Sequence, residues 1–127
     1  IHNRHCTYFA DFLQSREEGL IRSDKQELEV LQELDNIQDA WRWSVTQERM
    51  TEIYKFPLGF QLLYEYLGRQ FEGAITFEWA ANQLRGETLT GQKGIVYGLI
   101  LCKQAFFFRR IDRGKEANHL AQKAYQF

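Results

Sequence analysis

The stretch Tyr64–Ala80, YEYLGRQFEGAITFEWA, decides the fold. It opens apolar and aromatic, breaks at Gly68-Arg69, and then turns apolar again. It has neither the proline nor the Asn-Gly pair of a tight hairpin. A related pattern returns at Phe106–Ala124, FFFRRIDRGKEANHLAQKA. Placing Leu62-Leu63-Tyr64 over Phe106-Phe107-Phe108, an offset of 44, brings Leu67 onto Ile111 and Gly68 onto Asp112. In the helices that follow, Ala74 falls on Ala117, Phe77 on Leu120 and Ala81 on Ala124 at an offset of 43. A backward step of 34 sets Ala74 on Ala40 and Phe77 on Trp43. The chain therefore reads as a run of helix-turn-helix units, with extra length in the loop RGETLTG, Arg85–Gly91.

Working outward, apolar spacing predicts seven helices. The first covers Asn3–Glu18, with Cys6, Phe9, Phe12 and Leu13 on one face and Gly19 as its stop. Ser23 and Gln26 have the spacing of a capping box for a second helix, Asp24–Leu34, whose apolar face is Leu28, Leu31 and Leu34. Asp35 and Gln38 offer another cap. The third helix carries Ile37, Ala40, Trp41, Ser44 and Val45 as a single stripe, with Trp43 off it and free to meet a second neighbour. TQERMTE, residues 46–52, is a polar connection. The remaining helices are Lys55–Leu67, with Pro57 tolerated in its first turn, Gln70–Leu84, Gly91–Ile111 capped by Thr90, and Lys115–Phe127. Period-2 alternation is missing, so no strand is expected.

The totals are consistent with this. The chain has 127 residues, a net charge of −1 and 44% hydrophobic residues. That length suits one domain with a real core, and residues 1–127 are expected to form it. The near-neutral balance argues against a general binder of nucleic acid or membrane surfaces. Cys6 and Cys102 make no disulfide framework and read as reduced core residues of a cytoplasmic protein. The first residues, IHNRHCTYFADF, lack the apolar core of a secretory leader. No apolar run approaches the roughly 18 residues of a membrane span. Without an initiator Met, and ending in mid-pattern at AQKAYQF, the chain is expected to be a piece of a longer protein.

Paired helices with a period near 34 resemble a tetratricopeptide array. A helix pair cannot bury its apolar face alone, so neighbouring pairs stack. Ala74, Ala81, Ala117 and Ala124 are small enough for helices to approach closely, and Tyr64 and Phe108 fill the space between. Gly68 or Asp112 turns the chain, and Glu72 or Glu116 opens the next helix where the dipole favours an acid. The repeats are degenerate. No small residue stands near Gln61, Glu78 and Ala121 occupy bulky positions, and no proline ends a unit.

A narrower resemblance rests on RHCTYFADFLQ, LQELDNIQDAWRWSV and YEYLGRQFEGAITFEWAANQLRG. Together these resemble the helical region of large bacterial signal-transduction ATPases of the STAND class, including LuxR-type and antibiotic-regulator-type transcription factors. Glu33, Asp35, Asn36, Ala40 and Trp43 carry one mark of that region, and Gly68, Arg69, Glu72 and Gly73 another. The resemblance implies a parent protein that binds ATP and acts as a regulator. It places no such activity here, because these residues contain no G-x-x-x-x-G-K-[ST] loop.

Candidate chemistry is sparse. His2 and His5 are spaced to share a helix face, but a metal needs more ligands. Cys102 lies in an apolar run, GLILCKQAFFF, where an inert buried thiol is expected. His119 reads as a half-exposed helix residue. The pairs Glu17-Glu18 and Glu27-Glu29 lie on polar faces. The basic cluster Arg109, Arg110, Arg113 and Lys115 is short for phosphate tracking and reads as dipole-complementing charge. The helix Gly91–Ile111 is apolar almost all round and needs cover on more than one side.

The expectation is an all-α, right-handed tetratricopeptide-like helix-turn-helix solenoid fragment of about seven helices. Its role would be non-catalytic and without a cofactor: an interaction and sensing scaffold of a bacterial regulator. The partner would be a protein, a peptide or another domain of the parent chain, with self-association through exposed repeat ends as a further route. Nucleic acid and membrane are not expected partners. The resemblance to tetratricopeptide arrays places the first helix of each pair on the concave side. That side would present Lys55, Leu58, Leu62, Glu65 and Tyr66 from one unit, and Cys102, Phe106, Arg109 and Arg110 from the next. The alternative is a sensor that encloses a small-molecule inducer in a pocket.

Overall fold

A computed structural model describes residues 2–22, 26–86, 90–111 and 114–124. Among them every regular element is an α-helix. These are α1 (His2–Ser15), α2 (Glu17–Arg22), α3 (Gln26–Gln32), α4 (Leu34–Thr46), α5 (Met50–Ile53), α6 (Pro57–Leu67), α7 (Gln70–Leu84), α8 (Gly91–Arg110) and α9 (Gly114–Ala124). The seven expected helices correspond to α1, α3, α4, α6, α7, α8 and α9, and two short segments, α2 and α5, are added.

Those additions correct two boundaries. The first helix ends at Ser15 and not at Glu18, where the Ser15 hydroxyl donates to the Phe12 carbonyl at 2.7 Å. A side chain that satisfies a late carbonyl competes with helix propagation. Gly19 is no stop, because α2 runs through it. The polar connection 46–52 contains the one-turn helix α5. Before it, Glu48 takes a left-handed conformation at φ 52°, and the Arg49 amide bonds back to the Ser44 carbonyl at 2.9 Å.

The expected caps also differ. Neither Glu33 ahead of α4 nor Thr90 ahead of α8 makes a side-chain capping bond. Gln38 does not close a box with Asp35; its amide donates to the Tyr64 hydroxyl. The capping role expected of Ser23, the start at Asp24, the turn at Asp112, Arg113 of the basic cluster and the end at Phe127 lie outside the described residues. So do the side chains of Lys115 and Ala117.

The contacts group the chain into two compact units, Ile1–Leu67 and Gly68–Phe127. In the first, α1 packs along α4, α5 touches both, and α2 and α3 lie against α6. The stripe Ile37, Ala40, Trp41, Ser44 and Val45 is buried at all five positions. Trp41 meets the rings of Phe56 and Phe60 edge-on, at 5.4 Å each, and Phe60 stacks on Tyr64 at 5.8 Å. Such pairs stabilise beyond their buried area by about 0.5–1.5 kcal/mol each. Close approach at Gly59 is set by size, since a Cβ there would overlap the Leu13 side chain. On α3 the expected face is corrected: Val30 is buried, Leu31 is half-buried and Leu28 is exposed.

In the second unit, α8 packs along both α7 and α9. Gly68, at φ +69°, turns the chain where an L side chain would be strained. Glu72 and Glu116 lie in the first turns of α7 and α9, on the side of the dipole that favours an acid. Ala74, Ala81 and Ala124 are buried, as small residues at helix contacts should be. Phe77 stacks on Phe107 with ring centroids 6.0 Å apart, and a Cβ on Gly73 would come within 2.7 Å of the Phe107 ring.

Candidate interaction surface

The helices α6 and α8 bury their residues in the same register. From Pro57 to Leu67 and from Leu101 to Ile111, positions 44 apart fall in the same class of exposure, except at Gly59/Lys103 and Gln61/Ala105. Leu63 and Tyr64 are buried, as are Phe107 and Phe108. Leu62 and Phe106, one residue earlier, are half-buried in both helices.

Within these spans the exposed and half-buried residues include one matching stripe per helix, at i, i+4, i+7 and i+8. On α6 it is Leu58, Leu62, Glu65 and Tyr66, with Leu58 39% and Tyr66 54% exposed. On α8 it is Cys102, Phe106, Arg109 and Arg110. A large or soft side chain fills the first two places of each stripe. The last two carry Glu65 and the Tyr66 ring on α6, and two arginines on α8.

Individual residues are partly engaged. Lys55 precedes α6, and its Nζ lies 2.6 Å from Asp11 Oδ1. The Arg110 guanidinium lies over the Phe106 ring, 3.8 Å from its centroid. Arg109 donates to Asn118 Oδ1 at 3.4 Å. Both arginines stand in the last turn of α8, where the helix dipole favours positive charge. Cys102 corrects the expectation of a buried thiol: it is free and exposed. Although α8 is apolar almost all round, position 102 lies on an outer side of it.

Cys6 is free and buried, and its Sγ lies 2.6 Å from Ser44 Oγ. Close by, Arg49 bonds to Glu52 at 2.9 Å, and Glu52 accepts from Thr7 at 3.3 Å. Burial works against the Arg49 charge, but the bond to Glu52 and its carboxylate field, with a smaller part from Cys6, leave the guanidinium pKa above its ordinary value. This network ties α1 to α5 through Thr7 and Glu52.

The two N-terminal histidines go to different neighbours. His2 stacks on Trp43 at 4.6 Å, and His5 meets Phe9 at 4.8 Å. Trp43, off the buried stripe of α4, also donates its indole N–H to Asn3 Oδ1 at 3.0 Å. Among the described residues no group of three or more His, Cys, Asp or Glu could hold a metal ion. Nor is any helix long and apolar enough to cross a membrane.

Sequence reasoning passed over Phe71 and Ile75 on α7, which are 62% and 48% exposed. They stand at i and i+4, while Ala74, Phe77 and Ala81 hold the buried side of the same helix. Subtracting that buried series from the apolar residues of α7 would have found them. Compared with known proteins, the chain matches no family model, no curated protein and no solved structure.

Proposed function

We propose that the chain is a non-catalytic interaction scaffold: a tetratricopeptide-like arm of a larger cytoplasmic bacterial regulator, with no cofactor of its own. The observation that carries this reading is the repeated burial register of α6 and α8. Two helices with different sequences leave the same three positions exposed and the same one half-buried. Leu58 and Phe106 supply apolar contact, Tyr66 an amphipathic ring, and Arg109 and Arg110 guanidinium donors. Aromatic residues and arginine are the side chains that most often anchor protein interfaces. The partner is a protein segment, with the parent's own nucleotide-binding module as the first candidate.

Cys102 offers a direct test. It is exposed while Cys6 is buried, so a thiol-directed photo-crosslinker will attach at the stripe. Labelled chain within its parent protein is expected to cross-link to one defined segment, and Phe106→Glu is expected to abolish the product. The same label on a Cys102→Ser, Gln122→Cys variant, at an exposed position off the stripe, serves as the reference. Equal cross-linking from both positions contradicts the proposal. The surrounding reading frame gives an independent check: an upstream nucleotide-binding loop supports the regulator, and an isolated short gene opposes it.

A further inference from the structure

The first unit carries an open groove beside the start of α1, with a volume of about 400 Å³. Asn3, Arg4, Thr7 and Tyr8 line it from α1, and Arg49 lines it from the turn ahead of α5. The four α1 residues form two i, i+4 pairs, so they stand together on adjoining turns of one helix side. No residue of the α6 stripe is among them.

The lining is rich in donors, and among the described residues it contains no carboxylate. Arg4 is the unusual residue. The other four arginines of the first unit, Arg16, Arg22, Arg42 and Arg49, each pair with an acid. Arg4 is exposed and, among the described residues, has neither a hydrogen-bond nor an ion-pair partner. Arg49 is held in place at two points. Its amide bonds to the Ser44 carbonyl at 2.9 Å, and its guanidinium donates through Nη2 to Glu52 at 2.9 Å. Glu52 offsets the charge of Arg49, so Arg4 leaves the groove with a net positive charge. One turn further along α1, Asp11 is engaged by Lys55.

The remaining groups narrow the ligand's chemistry. Asn3 accepts the Trp43 indole N–H through Oδ1, which leaves its NH2 as the donor end. The Thr7 hydroxyl is used inside the protein, on the Asn3 carbonyl and Glu52. Tyr8 is 61% exposed, with its ring set edge-on against Phe9 at 4.8 Å, and its hydroxyl has no partner among the described residues. Two guanidiniums, an amide NH2 and a phenol O–H supply more donors than the two oxygens of a carboxylate can accept. A phosphate monoester has three acceptor oxygens and close to two negative charges, and guanidinium forks match such oxygens in pairs.

We propose that this groove binds a small-molecule phosphate monoester, its phosphoryl oxygens taken by Arg4 and Arg49 and its carbon body set against the Tyr8 ring. The volume falls in the lower part of the range for ligand pockets and leaves room for a body beyond the phosphoryl group. The site stands apart from the stripes of α6 and α8, and either reading can fail alone.

Calorimetry on the full chain tests it, with phenyl phosphate as the probe and inorganic phosphate, phenylacetate and phenol as comparisons. Phenyl phosphate is expected to bind saturably, inorganic phosphate and phenylacetate more weakly, and phenol not at all. Arg4→Gln, at an exposed position with no partner to lose, is expected to weaken binding by about 10-fold, the scale of one charge-assisted hydrogen bond. Arg49→Gln is expected to weaken it as well, and Arg4→Gln keeps the test decisive if loss of the Glu52 bond unfolds α5. Arg22→Gln removes the same charge from α2, outside the lining, and is expected to leave the affinity unchanged. Shifts of the Asn3 side-chain amide signals on titration would place the probe. Absence of saturable binding, phenylacetate or inorganic phosphate binding as tightly as the ester, unchanged affinity in Arg4→Gln, or an equal loss in Arg22→Gln overturns the proposal.

Discussion

The two units solve the problem of burying helix faces in different ways. Among the described residues, 1–67 form six helices, three of them no longer than seven residues. Their core is aromatic, running from Trp41 through Phe56 and Phe60 to Tyr64. Polar contacts add to it: Cys6 on α1 meets Ser44 on α4, and Thr7 on α1 donates to Glu52 on the short α5. The described residues of 68–127 form three longer helices, with α8 packed along both α7 and α9. Small residues set the spacing there: Gly73 admits the Phe107 ring, and Ala74, Ala81 and Ala124 are buried. Short helices need many specific ties, whereas long ones rely on continuous seams.

Substitutions can break this contrast. The largest effect is expected from the aromatic core: Trp41→Ala should cost about 3–5 kcal/mol in urea unfolding, since a fully buried ring leaves a cavity. A loss below about 1 kcal/mol would mean that the ring ladder does not hold the first unit together.

Gly73→Ala comes next. The new methyl group meets the Phe107 ring, and overpacking of this kind costs about 1–3 kcal/mol. The better helix propensity of alanine returns up to about 1 kcal/mol, so a net loss of about 1–2 kcal/mol is expected. Phe107→Leu in the same chain should remove most of the Gly73→Ala penalty, giving a double-mutant cycle with clear coupling. Additive losses would contradict the close approach of α7 to α8.

A smaller loss, about 1 kcal/mol, is expected for Ser44→Ala. The Ser44 hydroxyl contacts Cys6 Sγ and donates to the Ala40 carbonyl at 2.7 Å, and a neutral buried hydrogen bond is worth about that much. The smallest change belongs to Lys55→Ala: its pair with Asp11 is partly exposed, and such pairs contribute about 0–1 kcal/mol. Thermal unfolding of both variants beside the wild type would rank them, and a larger loss at Lys55 than at Ser44 would reverse the weight given to buried ties in the first unit.

The same contrast separates what was legible in the sequence from what was not. The α4 stripe could be read because its polar and apolar residues alternate at helical spacing, and all five positions are buried. The repeat offset of 44 was also legible, since it rests on runs of large side chains that α6 and α8 both bury. Around α3 the leucines 28, 31 and 34 have helical spacing, but α3 ends at Gln32, a seven-residue helix touches little, and Val30 takes the buried place. On α8 nearly every residue is apolar, so periodicity could not say which side stays outside, and exposed Cys102 was read as core. Arg4 and Tyr8 did leave a signal, since their i, i+4 spacing sets them on one side of α1. That spacing marks a helix side but not Arg49, which the turn ahead of α5 brings to the same groove.

The equivalence of α6 and α8 is the claim on which the interaction reading stands, and paired thiol labelling tests it most directly. Single-cysteine variants would be compared at positions 58 and 102, 63 and 107, 64 and 108, and 66 and 110, in a Cys6→Ser background for native Cys102 and in a Cys6→Ser, Cys102→Ser background for the rest. Fast labelling at 58, 66, 102 and 110 with slow labelling at 63, 64, 107 and 108 is the predicted result. Opposite rates within the pairs, such as a protected 58 and a reactive 102, would contradict the shared register.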